Sequence, residues 1–289
     1  MSLTRAKANV ARTAHLTAWA RALGRLTAGD VANGDYLAER ALLPYQAALI
    51  RAPRLCRWLL DRGLPGAIGY FNARTRYFDD VLLEESRLGL EQLVILGAGF
   101  DSRSIRFTDA LRNARVFEVD MPEVLALRAE RFPPSHQTTT SAIAVPIDFE
   151  REELGEALRR HSYASGARTL FLWEGVTYYL PVEAVRAILS FVASTSGPGS
   201  SILFDYVTKA FVDGDYSDYG ARRLADGWRR LGDVNRCGID DIVAFVRPLG
   251  LRVRLNIDAG ELERRYLSPW PGPRVRAWGC MRVAHAAWP

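Results

Sequence analysis

A short apolar run that ends at two glycines is the feature that most constrains the fold of this chain. Residues 93–96 are all aliphatic, and Gly97-Ala98-Gly99 follow directly. A strand that is buried on both faces of a parallel sheet has such a continuous apolar sequence. Glycine permits the tight turn at the strand's carboxyl end and leaves room for a ligand to approach the backbone N–H groups. The pattern therefore predicts an α/β fold with a ligand-accessible turn after its first strand.

The residues that follow this turn narrow the choice of ligand. Turns of this kind occur in dinucleotide enzymes, in methyltransferases and in ordinary αβ connections. The third glycine of the dinucleotide fingerprint would fall at position 102, where the chain has Ser102. The next predicted strand, residues 114–120, ends in Asp120, and a carboxylate there suits the two adjacent hydroxyls of a ribose. Glu118 is the competing acid, but Asp120 lies nearer to the strand's carboxyl tip.

Two further predicted strands also end in acids. Residues 141–149 form the third strand and leave Asp148 and Phe149 at its tip, a pair that suits a purine. Asp148 is equally suited to capping a helix predicted over residues 150–161. The fourth strand, residues 169–173, is followed by Glu174, where open α/β sheets bind ligands. Tyr178 and Tyr179 are predicted to lie on the same rim.

The residues before the glycine turn are predicted to be helical. Residues 1–87 form a predicted helical cap or lid, with helices over residues 8–26 and 36–51, and residues 88–289 form a single α/β domain. An aromatic and arginine-rich helix leads into the turn over residues 69–83. Either Arg74 or Arg76 on it is placed to clamp a carboxylate with its planar fork. Further strands are predicted over residues 201–206, 251–256 and 281–286, the last as an edge strand because it alternates.

Composition disfavours several classes of protein. The chain of 289 residues has a net charge of +5, but only Lys7 and Lys209 are lysines, and the arginines are interspersed with acids. No basic stripe interleaved with aromatics appears, so nucleic acid is not the predicted partner. The three cysteines form no metal-binding spacing, and no metal is expected. Without a signal-peptide pattern or a membrane-length apolar segment, we expect a cytoplasmic protein with no membrane partner.

Three stretches of the sequence, taken together, resemble the leucine carboxyl methyltransferase family. They are residues 94–103, 117–122 and 173–181. This family contains protein phosphatase methyltransferases and bacterial O-methyltransferases of secondary metabolism. The resemblance extends in element order over residues 8–289 and is most specific over residues 70–180. It implies a class I methyltransferase fold, Rossmann-like, with a seven-stranded, mostly parallel sheet, an antiparallel last strand and helices on both faces.

The resemblance also implies a donor and a role for each candidate residue. The donor is S-adenosyl-L-methionine, and the product is S-adenosyl-L-homocysteine. Arg74 resembles the arginine that binds the methionine carboxylate, and Glu174 resembles the acid near the methionine amino group. The other residues implied in donor binding are Gly97 and Gly99 in the turn, Asp120 at the ribose, and Asp148 with Phe149 at the adenine.

The acceptor is predicted to be a small molecule. Residues 207–275 do not match the substrate-recognition region of the phosphatase-specific enzymes. We expect methylation of a carboxylate, which is already ionised near neutral pH and needs no general base. A hydroxyl or phenol acceptor is the alternative, and Tyr178 or Tyr179 would then act catalytically. Outside this class, a nicotinamide oxidoreductase and a nucleoside-binding protein without turnover are the remaining alternatives.

Overall fold

The computed structural model of the chain describes residues 3–133, 142–231 and 236–288. Its α-helices are α1 (Leu3–Ala28), α2 (Pro44–Leu49), α3 (Pro53–Gly63), α4 (Ala67–Arg87), α5 (Arg103–Arg106), α6 (Pro122–Arg131), α7 (Leu154–Arg160), α8 (Val182–Thr195), α9 (Lys209–Val212), α10 (Ala221–Leu231), α11 (Ile242–Val246) and α12 (Ala259–Leu262). Its strands are β1 (Gln92–Leu96), β2 (Arg115–Asp120), β3 (Ile143–Pro146), β4 (Thr169–Trp173), β5 (Ser201–Val207), β6 (Arg252–Asp258) and β7 (Met281–Ala287).

The seven strands form one mixed, mostly parallel sheet in the order β3-β2-β1-β4-β5-β7-β6. β1 lies parallel between β2 and β4, and all five of its residues are buried, as the apolar run predicts. The chain first builds outward from β1 through β2 to β3 and then returns to the other side of β1 with β4. Parallel α/β sheets bind ligands at such a reversal, beyond the carboxyl ends of the strands. The topology therefore places the glycine turn and Glu174 at the same crevice.

One face of the sheet is covered by helices. Its core contains alternate residues of β1, β2, β4 and β5, such as Phe117, Phe171 and Phe204, all without solvent exposure. Residues of α7, α8 and α11 pack against them, including Leu158 and Leu189. Burial of this much aliphatic and aromatic surface is the main source of stability for such a layer. It gives the loops at the carboxyl edge a rigid support.

Three elements differ from the sequence predictions. β7 was predicted to be an edge strand, but it is inserted between β5 and β6, and most of its residues are buried. The helix predicted from residue 150 begins instead at Leu154. A turn precedes it, in which Oδ1 of Asp148 accepts the N–H of Glu150. The helix predicted over residues 36–51 is reduced to a 3₁₀ turn and α2, since Pro44 can begin a helix but not continue one.

The chain separates into two compact units. The first consists of Met1–Asp80, Gly214–Val234 and Ile257–Met281, and the second of Val81–Asp213, Asn235–Asn256 and Arg282–Pro289. In the first unit, the ring of Trp278 packs 5.4 Å from that of Tyr70 and 5.0 Å from that of Phe71. The second unit contains the glycine turn and the acids at the strand ends. The predicted division into a cap of residues 1–87 and a domain of residues 88–289 stays a prediction.

Within the described part of the chain, no helix is both long and apolar enough to span a membrane.

Candidate functional site

The glycine turn after β1 adopts a backbone that side chains would disturb. Gly97 and Gly99 have φ angles of +69° and +44°, in the left-handed region. A Cβ atom on Gly97 would also lie 2.3 Å from Cγ2 of Val176. The N–H groups of Gly97 and Ala98 both donate to the carbonyl of Val119, over 2.8 Å and 3.1 Å. The turn is therefore fixed against the end of β2, and position 97 requires glycine.

Asp120 is held by the same turn. The N–H of Gly99 donates to its Oδ2 over 2.8 Å, and the N–H of Met121 donates to its Oδ1 over 2.7 Å. Asp120 is only 5% exposed, and this burial raises the pKa of its carboxyl to about 6, although both N–H groups and the charge of Arg128 oppose the rise. A carboxylate oxygen has two lone pairs, so each oxygen that accepts one backbone bond can accept another. The geometry suits two adjacent hydroxyl donors.

Glu118, the competing acid on β2, is occupied by other groups. The guanidinium of Arg128 contacts both of its carboxylate oxygens, with a distance of 2.6 Å between Nε and Oε2. Ser104 donates its hydroxyl to Oε1 over 2.5 Å. Nη1 of Arg128 also donates to the carbonyl of Gly99 over 3.2 Å, which connects this buried network to the glycine turn. Glu118 thus supports the turn, whereas Asp120 lies at the strand tip.

A buried arginine joins the ends of β1 and β4. Nη1 of Arg103 contacts Oδ2 of Asp101 and lies 2.7 Å from Oε2 of Glu174. The backbone N–H of Arg103 donates to Oδ1 of Asp101 over 2.7 Å. The side chains of Arg103, Asp101 and Glu174 are 3%, 9% and 10% exposed, respectively. No role was predicted for Arg103 from the sequence, although its position two residues after Asp101 was the available signal.

The loop after β4 is anchored to β5 by an acid that the sequence analysis also missed. Asp205 is completely buried, and its Oδ1 accepts the N–H of Gly175 over 2.6 Å. Its carbonyl accepts the hydroxyl of Thr177. Tyr178 and Tyr179 follow in a 3₁₀ turn with their ring centroids 4.7 Å apart, Tyr178 buried and Tyr179 half-buried. Their proposed contact with an acceptor stays a prediction.

Asp148 and Phe149 lie beyond the end of β3. The N–H of Ile147 donates to the carbonyl of Asp120 over 2.9 Å, which brings the two strand tips together. Oδ1 of Asp148 accepts the N–H of Glu150 over 3.0 Å, so the side chain caps a turn rather than α7 itself. Both Asp148 and Phe149 are half-buried, and Phe149 packs against the core. The adenine role of this pair stays a prediction.

The two candidate arginines of α4 differ in their surroundings within the first unit. Arg76 donates from Nη1 to the carbonyls of Asp30 and Val31, over 3.2 Å and 2.9 Å. Arg74 is buried, with its guanidinium 5.2 Å from the ring centroid of Tyr70 and 5.3 Å from that of Phe71. The role of Arg74 at a donor carboxylate stays a prediction.

Across residues 3–133, 142–231 and 236–288, no three His, Cys, Asp or Glu side chains are grouped so that they would hold a metal ion.

Comparison with known proteins gives a family model and bacterial relatives of this chain. The family model "Leucine carboxyl methyltransferase" matches residues 15–193. A Mycobacterium avium (strain 104) protein named "Putative S-adenosyl-L-methionine-dependent methyltransferase" is 31% identical over 271 residues, which cover 85% of this chain and 84% of that protein. A Mycobacterium marinum relative of the same name is 33% identical over 196 residues, which cover 63% of this chain but only 61% of the relative.

A solved structure supports the fold. A DUF574 family protein from Streptomyces avermitilis has a TM-score of 0.57 at 14% identity, and the match covers 93% of this chain and 97% of that one. The strand order and the helices packed on the sheet are those of the class I methyltransferases. Since the family model spans more than half of the chain, the protein belongs to the leucine carboxyl methyltransferase family of S-adenosylmethionine-dependent methyltransferases.

Proposed function

We propose that the protein transfers the methyl group of S-adenosylmethionine to a carboxylate oxygen of a small-molecule acceptor. The observation that carries the donor half of this proposal is the anchoring of Asp120, whose two oxygens each accept one backbone N–H at the tip of β2. Their remaining lone pairs match the 2′- and 3′-hydroxyls of a ribose. The bare backbone at Gly97 and Gly99 gives the nucleoside access to the turn.

The remaining donor contacts are assigned from the family resemblance. Glu174 would accept from the α-amino group of the methionine part, and Arg74 would bind its carboxylate. Asp148 would accept from the exocyclic amine of adenine, beside the ring of Phe149. The chemistry of these groups fits the donor, because its amino group and adenine amine are hydrogen-bond donors, whereas its carboxylate requires a cation.

The reaction requires the protein mainly to align its two substrates. S-adenosylmethionine supplies a methyl group activated by its sulfonium. A carboxylate acceptor is ionised near neutral pH, so the protein needs to remove no proton from it. The binding residues would then act by orienting the donor and excluding water. We assign Tyr178 and Tyr179 to acceptor positioning, since they follow Glu174 in the loop that Asp205 anchors.

The histidines support a mechanism without a general base. Nδ1 of His15 lies 2.5 Å from the carbonyl of Ala41, and Nδ1 of His161 lies 2.8 Å from that of Ala157. His285 is buried beside Glu85, and burial lowers the pKa of its imidazole to about 4. His136 lies outside the described residues. Each described histidine therefore lies against a group other than the candidate donor residues.

Mass spectrometry of reacted acceptors tests the proposal. Carboxylic acids and phenols are incubated with enzyme and donor labelled in its methyl group, and products that gain the label are treated with alkali. We expect a methyl ester, which alkali hydrolyses. A labelled product that resists alkali would place the methyl group on a hydroxyl and refute carboxyl methylation. Absence of S-adenosylhomocysteine binding to the folded protein would refute the donor assignment itself.

A further inference from the structure

Arg103 connects a proposed donor ligand to the loop beside the glycine turn. One nitrogen of its guanidinium, Nη1, contacts a carboxylate oxygen of Asp101 and one of Glu174. All three side chains are at least nine-tenths buried. We propose that Arg103 is a positioning residue, which fixes the Glu174 carboxylate for the α-amino group of the donor. This inference rests on the donor binding proposed above and adds a residue to it.

The charges of the cluster explain why an arginine is required there. Asp101 and Glu174 both place an oxygen against the same nitrogen, so their negative charges are close together. Without a cation between them, the two buried negative charges would repel each other and separate. A guanidinium satisfies both with directed N–H bonds and remains charged. Arg103 thus acts on an ammonium ligand only through Glu174, since two cations repel each other.

The ribose end of the site has separate anchors. Asp120 is bound by the N–H groups of Gly99 and Met121, and the carbonyl of Gly99 is held by Arg128. These contacts do not pass through Arg103. Loss of the Arg103 side chain should therefore affect recognition of the amino acid part of the donor and leave recognition of its nucleoside part in place.

Two ligands distinguish these parts. S-adenosylhomocysteine contains the nucleoside and the amino acid, whereas 5′-methylthioadenosine retains the nucleoside thioether and lacks the amino acid. Calorimetry of the full chain compares both ligands in wild type and in Arg103→Met. We expect the variant to bind S-adenosylhomocysteine at least about tenfold more weakly and 5′-methylthioadenosine within about threefold of wild type. Arg159→Met, which removes an exposed ion pair with Glu156, is the matched control and should change neither affinity.

Two further variants test whether Arg103 acts through Glu174. Arg103→Lys keeps the positive charge and should recover part of the S-adenosylhomocysteine affinity lost in Arg103→Met. Glu174→Gln should weaken S-adenosylhomocysteine selectively as well. In the Glu174→Gln background, Arg103→Met should then change this affinity by less than about threefold, because the residue it positions is already altered.

Several results would overturn the proposal. These are unchanged S-adenosylhomocysteine binding in Arg103→Met, an equal loss of both ligands in a variant with wild-type circular dichroism, or fully additive losses in the double variant. If Arg103→Met does not fold, Arg103→Lys and Glu174→Gln decide, because an unselective loss in both contradicts the assignment. If wild type binds neither ligand, the proposed function fails instead, and the two failures remain distinguishable.

Discussion

The buried carboxyl of Asp120 gives a prediction in which stability and ligand binding change in opposite directions. Asp120→Asn preserves the size of the side chain and removes its titration. Asn offers one acceptor oxygen, so only one of the N–H groups of Gly99 and Met121 retains its bond, and the other faces an amide N–H₂. That mismatch costs about 1–2 kcal/mol at every pH. The Asn variant also avoids the cost of burying an ionised carboxyl. This gain exists only at pH values at which the carboxyl of Asp120 would lose its proton.

The magnitude follows from the pKa of Asp120. A value of about 6 in the folded protein against an ordinary 3.8 corresponds to about 3 kcal/mol. The raised pKa means that wild type is most stable, with respect to this group, below about pH 4, and that it loses this stability as pH rises through about 6. Subtracting this gain from the mismatch, the Asn variant should be about 0.5–1.5 kcal/mol less stable than wild type at pH 4, where the unfolded carboxyl is already partly ionised. It should be about 1–2 kcal/mol more stable at pH 7, with a sign change near pH 5.

The comparison must be made between variants, because His285 opposes the effect in wild type. Burial lowers the pKa of His285 from 6.5 to about 4, and the charge of Arg254 adds to this. Its contribution of about 3 kcal/mol is fully present above pH 6.5 and is lost as pH falls through about 4. These two contributions therefore largely cancel in wild type between about pH 4 and pH 6. Denaturant unfolding of wild type and Asp120→Asn from pH 4 to pH 8 isolates the carboxyl.

Binding provides the second half of this test. Asp120→Asn should weaken S-adenosylhomocysteine by about 1–3 kcal/mol at pH 7.5, because a ribose hydroxyl loses its acceptor. Wild-type affinity should fall about tenfold between pH 7 and pH 5 as Asp120 becomes protonated, and the variant should lack this component. A stability difference that does not vary with pH would refute the raised pKa. Unchanged affinity in the folded variant would refute the ribose assignment.

Three other substitutions test the supports of the site. In denaturant unfolding, Gly97→Ala should lower the free energy of unfolding by about 1–3 kcal/mol, through a clash with Val176 and through backbone strain. Adding Val176→Ala should remove the clash and leave the backbone strain. Asp148→Ala should weaken S-adenosylhomocysteine and 5′-methylthioadenosine equally in calorimetry, while costing less than about 1 kcal/mol of stability as a lost turn cap. Arg128→Met should lower the free energy of unfolding by about 3–5 kcal/mol, because Glu118 is then buried without its cation. Adding Glu118→Leu should restore much of that loss. Equal stability of the single and double variants would contradict this role of the ion pair.

The strands around the glycine turn were predictable because local sequence decides them. β4 has the predicted bounds and β1 is longer than its predicted apolar run by one residue, since each strand is set by that run. Asp120 was predictable as well, because its position at a strand tip depends only on where β2 ends. Family resemblance added the expected roles of neighbouring acids, although the ligand contacts themselves remain predictions.

Contacts between distant parts of the sequence could not be predicted in this way. The pairing of Arg103 with Glu174 joins residues 71 positions apart, and the bond from Gly175 to Asp205 joins residues 30 positions apart. The insertion of β7 between β5 and β6 is likewise a property of the assembled sheet, and the alternation of its residues gave no sign of it. Such features require the topology before any residue can be assigned a partner.

The two acids of β2 differ in the groups that already occupy their carboxylate oxygens. Glu118 is neutralised by Arg128 over both of its oxygens, and it supports the turn. Asp120, two residues further along β2, accepts the backbone N–H groups of Gly99 and Met121, and its pKa is raised. A guanidinium paired with a carboxylate competes with incoming hydroxyl donors, whereas two neutral N–H groups leave lone pairs that hydroxyls can use. The difference between these two acids, rather than their number, makes Asp120 the better candidate for the ribose.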